Sequence, residues 1–287
     1  MINIVESRND FGTMNTGTIR FSNLTDSDKK MLCDKHNLSL IDLENYDLTK
    51  DKKDIFNKHR DEFGKSMGFD GKKMFMADQK HGVGTFFEID RDYVEANPNG
   101  WTDIDEDILV VTKKTPGVVI GHPVADCPVV MMTDRKQGIS VVGHCSAKLI
   151  DKGLPTMIAA VLRSVYGSKT DDIMAYISAS AGENWAYDKF PDWARDSYLW
   201  DRCIVYGDDD KFHINLKPAI LMQIISMGIN KDNIVFNMDD TISNPHYYSN
   251  SEASVNGGNK KDKFGRNFAG IFFDEKDDDS IEIKKGK

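Results

Sequence analysis

The chain has 287 residues, 40% of them hydrophobic and 29% charged, with 46 acidic side chains against 37 basic ones and a formal charge of −9. That length holds one large domain or two small ones, and the apolar content suffices for a buried core. The acidic excess excludes the broad basic face that nucleic-acid binding requires. The most apolar stretches, such as 218–225, are far shorter than the ~20 residues of a membrane helix. The N-terminal MINIVESRND has no basic stretch followed by a long apolar run, so no targeting segment is expected. Cys33, Cys127, Cys145 and Cys203 are scattered without a CxxC pair, which points to a cytoplasmic protein with reduced thiols.

No repeat or low-complexity linker divides the chain. Residues 3–15 read as strand and turn. Thr25 followed by Asp26, Ser27 and Asp28 offers an N-cap and an acidic first turn for a helix running to His36. Residues 48–63 are highly charged with sparse apolar positions, and read as a solvated helix. The character then changes. Segments 73–90, 108–112, 117–121, 128–133 and 139–143 are rich in Val, Ile, Met and Phe and are separated by turn residues such as Thr115-Pro116-Gly117. They read as strands, several buried on both faces. Met157, Ile158, Val161, Leu162 and Val165 form one apolar stripe at helical spacing. A strand at 173–177 and a helix at 215–227, closed by Gly228, follow. Strands at 234–236 and 268–273 end the ordered pattern, and the charged tail from 274 to 287 is expected to fray. The order is not a clean βαβ alternation, which favours one α+β domain with mixed sheets across residues 1–287.

Three short segments stand out for chemistry: Asp78-Gln79-Lys80-His81-Gly82, Ala125-Asp126-Cys127-Pro128-Val129 and Val141-Val142-Gly143-His144. The second and third lie at the ends of apolar runs, where a side chain leaves the core and can converge with others. Two imidazoles and a thiolate, His81, Cys127 and His144, make a three-ligand zinc set with a fourth position for water or substrate. The separations are longer than those of a zinc finger. A Cys at a strand start is also a small buried hydrophobe, and a His after an apolar strand is also a hydrogen-bonded structural group. Both readings stand on the residues alone.

Together the three segments resemble the laccase-domain family. It is named for multicopper polyphenol oxidases, is also described as purine nucleoside phosphorylases with adenosine deaminase activity, and includes the peptidoglycan editing factor of bacteria. The family carries a Q-x-H-G segment, an A-D-C segment at a strand junction and a later strand ending in H-A-G-W-R-G. Gln79-Lys80-His81-Gly82 matches the first and Ala125-Asp126-Cys127 the second, with Pro128 one place earlier than usual. His144 matches the first residue of the third. Tyr187-Asp188, His213-Ile214-Asn215-Leu216, Tyr247-Tyr248-Ser249 and Gly265-Arg266 follow in the family's order. The resemblance covers about residues 73–273 and is not evident before residue 70, so 1–70 are expected to form a divergent N-terminal part. It implies a layered α/β sandwich with mixed β-sheets inside and helices outside. It also implies His81, Cys127 and His144 as metal ligands.

This chain departs from the family at informative places. After His144 it reads Cys145-Ser146-Ala147-Lys148, so the family's Trp and Arg are absent and Lys148 takes the Arg position. Ser249-Asn250-Ser251-Glu252 replaces Ser-Tyr-Arg-Arg. A guanidinium grips phosphate bidentately, whereas a lysine is a point charge. The departures therefore weigh on phosphorolysis more than on metal binding, and leave Lys148 and Arg266 as the cations for phosphate. A four-copper centre needs about ten imidazoles, many in His-x-His pairs, as the family name implies. This chain has seven histidines and no such pair. A multicopper cluster within one chain is excluded, and a single mixed nitrogen and sulfur site suits zinc better than copper.

The resemblance thus implies a zinc-dependent enzyme whose small-molecule substrates are a purine nucleoside and phosphate, with neither nucleic acid nor membrane as partner. Zinc lowers the pKa of water toward ~7. Attack of that water at C6 of adenosine expels ammonia and gives inosine. In phosphorolysis, phosphate attacks C1′ of the ribose instead. Asp126 orients the water, carries a proton or buttresses a ligand imidazole, unless it caps amides at a turn. Tyr187 or Trp185 stacks on a purine, or fills the core. His122, shortly before Cys127, is a candidate fourth ligand or proton carrier, or a turn residue. Cys145 points to the strand face opposite His144 and belongs to the core. His213 and His246 are further candidates from later segments. Two other readings remain. Cys127 and His144 can be nucleophile and base of a metal-free amide hydrolase acting on a substrate such as a cell-wall peptide precursor, since the fold resembles the catalytic domain of cytotoxic necrotizing factor deamidases. Alternatively, the chain is a metal-stabilised protein without activity.

Overall fold

The computed structural model describes residues 1–14, 19–77, 85–100, 104–254, 264–275 and 280–286. In chain order the elements are β1 (Ile2–Glu6), α1 (Asp26–His36), α2 (Leu40–Glu44), α3 (Lys52–Met67), β2 (Met74–Met76), β3 (Phe86–Glu88), α4 (Arg91–Ala96), β4 (Ile108–Thr112), β5 (Val119–Val124), β6 (Val129–Asp134) and β7 (Ile139–His144). Then come α5 (Ala147–Asp151), α6 (Leu154–Ala160, prolonged by a π turn over Val161–Val165), β8 (Ile173–Ile177), β9 (Ala186–Tyr187), β10 (Ile204–Tyr206), β11 (Phe212–Ile214), α7 (Lys217–Ser226), β12 (Ile234–Phe236), α8 (Asn250–Ser254), β13 (Asn267–Phe273) and β14 (Ile281–Lys285).

Two sheets form the centre. One has the order β14-β1-β13-β5-β2 and the other β12-β8-β6-β7-β4-β3. Both are mixed: β1–β14, β2–β5, β3–β4 and β8–β12 are parallel, and the remaining pairs in these two sheets are antiparallel. The period-2 alternation of side chains assigns their faces. Ile120 and Val124 of β5, Leu109 and Val111 of β4, Met131 of β6 and Val142 of β7 meet in one core between the sheets. Val119, Phe268 and Phe272 point outward to a second core with Leu32 of α1 and Phe56 and Phe63 of α3. Val110, Val130, Met132 and Val141 face a third core with Leu149 of α5, Ile158 of α6 and Ile220 of α7. The result is the expected layered sandwich, sheets inside and helices outside. Where β5 and β13 cross-pair, Gly121 sits opposite Gly270. A Cβ at Gly121 would overlap the Ala269 carbonyl and the Phe268 ring, so the ring lies flat on bare backbone.

Two expectations are corrected. The helix read as solvated at 48–63 is α3, and it buries Ile55, Phe56, His59, Arg60, Phe63, Gly64 and Met67. Its charges occupy one side while Phe63 meets Phe11, Phe69 and Phe268 edge-on at 5.3–5.9 Å. Two buried polar residues, His59 and Arg60, mask the stripe in the sequence. The tail expected to fray supplies β14, an edge strand parallel to β1 from Ile281 beside Ile2 to Lys285 beside Glu6. Its charged side chains suit an exposed edge. Elements not anticipated are short: α2, α4, α5, α8 and the small sheet β10-β11-β9. Among the described residues no helix is long and apolar enough to cross a membrane.

Candidate active site

Strand register brings the second and third chemical segments together. In the β6–β7 ladder Val129 lies opposite His144, and the Cys145 amide donates to the Pro128 carbonyl at 2.8 Å. Cys127 therefore enters β6 beside the point where β7 ends. His144 shares the strand face of Val142, so it turns into the space between the two sheets, where it is 3% exposed. The same alternation in β5 turns His122 inward between Ile120 and Val124. The rings of His122 and His144 lie 6.1 Å apart, tilted by 36°. His122 is fully buried, and no hydrogen bond of normal geometry reaches either of its ring nitrogens among the described residues. Burial pushes its pKa down to about 3, which keeps the imidazole neutral at physiological pH.

The turn before Cys127 is held from three sides. Asp126 has φ +83°, in the left-handed region that Asp tolerates better than most residues. Its carbonyl accepts from the Ala181 amide at 2.8 Å. Its carboxylate accepts from Thr241 Oγ1 at 2.8 Å and from the Ser251 amide at 2.6 Å. Both carboxylate oxygens are thus engaged by the protein, an arrangement that orients the chain at Cys127. Pro128 adds its own constraint by keeping Cys127 out of the helical region. The half-buried Cys127 thiol is pushed up to about 12 by burial and by the Asp126 carboxylate, with Arg266 opposing.

Arg266 is positioned by the Tyr247-Tyr248-Ser249 motif. Tyr248 and Asn267 exchange two hydrogen bonds, the Tyr248 amide to Asn267 Oδ1 at 3.0 Å and Asn267 Nδ2 to the Tyr248 carbonyl at 2.9 Å. The Arg266 amide donates to Thr13 Oγ1 at 3.0 Å, and its Nη1 donates to the Gly265 carbonyl at 2.8 Å. Burial lowers the pKa of its guanidinium, while Cys127 and Asp126 favour the charge, which sets Arg266 in the electrostatic neighbourhood of the turn. Tyr187, half-buried on β9, lies 5.5 Å from Trp185, which in turn stacks on Trp193 at 6.2 Å. Burial raises the Tyr187 pKa, and Cys127 adds to the shift. Lys148 stands exposed on α5, after the Ser146 N-cap.

The β6–β7 register brings the Asp126-Cys127 turn to His144, and Arg266 and Tyr187 interact electrostatically with the Cys127 thiol. His81, with Gln79 and Gly82, lies outside the described residues. Among the described residues no group of three metal-ligating side chains converges. The donors that are described suit zinc in kind, one sulfur and one imidazole that is held between β-sheets. His213 is engaged elsewhere, Nδ1 with the Glu183 carbonyl at 2.5 Å and Nε2 with Asp209 at 2.7 Å. His246 is exposed. Cys145 is fully buried in the helix-facing core, as its strand parity requires. Thr241 and Ser251 were not legible as partners of Asp126. The signal was weak: one hydroxyl, and one backbone amide that any residue would supply.

A search of the curated proteins found no match. Solved structures of similar fold include the hypothetical protein YfiH of Bacillus licheniformis, 17% identical over 77% of this chain and 82% of its own, with a TM-score of 0.63. They also include YlmD of Geobacillus stearothermophilus, 15% identical over 78% and 82%, TM-score 0.62. A third is the protein NMB0706 of Neisseria meningitidis, 16% identical over 77% and 82%, TM-score 0.57. A family model described as multi-copper polyphenol oxidoreductase laccase matches residues 37–274, beginning ahead of the segments that carry the resemblance. The chain belongs to that laccase-domain family.

Proposed function

We propose that this protein is a zinc-dependent enzyme acting on purine nucleosides, with hydrolytic deamination of adenosine as its reaction and phosphorolysis as the second activity to score. The observation that supports this reading is the register of β6 and β7, which sets His144 opposite Val129, two residues after Cys127. His81, Cys127 and His144 would hold the ion. The chemistry such an ion supplies is a water pKa lowered toward ~7.

The remaining roles belong to the chain. Tyr187 and Trp185 offer a flat apolar surface for the purine. Arg266 offers a guanidinium to an anion or to ribose oxygens. Asp126 acts as a positioning residue, because Thr241 and Ser251 already occupy its carboxylate. His122 backs His144 from inside the core as a neutral ring. An amide hydrolase without metal would need Cys127 as a thiolate, and reactive cysteines have lowered pKa values; here burial and Asp126 act in the opposite direction.

The test is a purine-nucleoside activity panel, with and without phosphate, on protein of known metal content. About one zinc per chain, lost in Cys127→Ala together with ammonia release from adenosine, is the expected result. Full zinc occupancy without turnover of any purine nucleoside would leave the metal-stabilised reading. Retained activity in metal-free protein that iodoacetamide abolishes would overturn the proposal in favour of the hydrolase.

A further inference from the structure

A second polar pocket lies at the far end of the five-stranded sheet. β2 runs parallel to β5 with Met74 beside Val119, so the end of β2 that follows Lys72 is remote from Asp126 and Cys127. A cavity of about 390 Å³ opens there between α3, the turn into β2 and the 97–100 turn. Lys53, Asn57, Arg60, Asp61 and Lys72 line it, together with residues 99–100.

Arg60 is the unusual member. Its side chain is 4% exposed, and the half-exposed Asp61 carboxylate lies 4.0 Å from its Nε. Nη1 donates to the Asn99 carbonyl at 2.7 Å, but among the described residues Nε has no hydrogen-bond acceptor. Asp70, the other acid that acts on Arg60, spends a carboxylate oxygen on the Lys72 amide at 3.0 Å. Burial accordingly pushes the guanidinium pKa down, and the two acids do not restore it. Arginine keeps its charge in proteins, and a buried charge is ordinarily paired. Lys53 and Lys72 add exposed ammonium groups at the rim. Among the described residues the lining carries three cations against one carboxylate, in a chain whose net charge is −9.

We propose that this pocket binds a phosphate group, with Arg60 at its base and Lys53 and Lys72 at its rim. An unsatisfied guanidinium N–H, here Nε, matches an oxyanion oxygen. The local excess of two positive charges balances a phosphate, which carries about −1.5 to −2 at pH 7, better than it balances a single carboxylate. The volume is at the small end of the range for small-molecule sites, roughly 300–1,000 Å³. Inorganic phosphate and a phosphomonoester share this chemistry.

Calorimetric titration of the full chain in chloride buffer with inorganic phosphate, AMP and adenosine tests it. Saturable binding of phosphate, of AMP or of both is expected, and the tighter of the two identifies the source. The Lys53→Gln, Lys72→Gln double variant, altered only at exposed positions, should weaken that binding at least tenfold. Arg60→Lys, with its melting temperature monitored, should weaken it even where the fold is retained. Arg266→Gln should leave a saturable phosphate site that still responds to the rim lysines, which separates this pocket from the site at Cys127. Absence of phosphate and AMP binding, or indifference of the binding that persists in Arg266→Gln to the rim lysines and to Arg60→Lys, would each overturn the inference. None of these readouts depends on zinc or on nucleoside turnover.

Discussion

Replacing Asp126 separates its contribution to structure from any part in proton transfer. The carboxylate holds two donors, Thr241 Oγ1 at 2.8 Å and the Ser251 amide at 2.6 Å, at a residue 7% exposed with φ +83°. Hydrogen bonds to a charged group contribute about 1.5–3 kcal/mol each. Asp126→Asn keeps an acceptor for Thr241 but sets an N–H against the Ser251 amide, and should cost about 1.5–3 kcal/mol. Asp126→Gly loses both bonds, about 3–6 kcal/mol, while accepting the positive φ without strain. Asp126→Ala loses the same bonds and adds the left-handed penalty of about 1–2 kcal/mol. The glycine variant should therefore be the more stable of the two, the reverse of the usual order in which Gly costs about 0.5–1 kcal/mol relative to Ala. Urea denaturation with a common m-value measures the series. An alanine variant as stable as the glycine variant, or an asparagine variant within about 0.5 kcal/mol of the parent, would refute the positioning argument.

Two further outcomes concern the N-terminal part. Burial opposes the charge of Asp28, but hydrogen bonds from His59, Lys58 and Thr25 hold its carboxyl well below the usual range. A depressed folded-state pKa contributes stability that is complete above the unfolded value of about 3.9 and is lost as pH falls below it. The melting temperature should drop as pH falls below about 4 in the parent and less in Asp28→Asn, which itself should cost about 3–5 kcal/mol at neutral pH by removing the buried carboxylate that Lys58 and the fully buried His59 share; parallel pH profiles for the two would refute this. Phe63→Ala should cost about 3–5 kcal/mol, because α3 packs this ring fully buried against three others. A change below about 1 kcal/mol would restore the solvated-helix reading.

Much of the fold was legible in local patterns. Thr25 caps α1 as expected, with the reciprocal Thr25–Asp28 box at 2.7–3.2 Å. The apolar runs at 108–112, 139–143 and 173–177 are strands β4, β7 and β8 to within a residue. These elements are encoded by capping chemistry and by continuous Val and Ile, which act over a few residues. α3 and β14 were misread because their stability comes from partners. α3 carries a buried His and a buried Arg within its apolar face, and β14 is a charged strand that exists through its pairing with β1.

The candidate site divides in the same way. Residue type at the ends of apolar runs made Asp126, Cys127 and His144 candidates and the family resemblance gave them roles, while parity along the strand was sufficient to send Cys145 to the opposite face. Which residues meet them was decided by tertiary structure. The β6–β7 register aligns Val129 with His144, sheet packing brings His122 within 6.1 Å of His144, and the 237–254 segment returns to clamp Asp126 through Thr241 and Ser251. Contacts between residues more than a hundred positions apart leave no periodicity in a single chain. They arise only when burial of the three cores fixes which strand lies beside which.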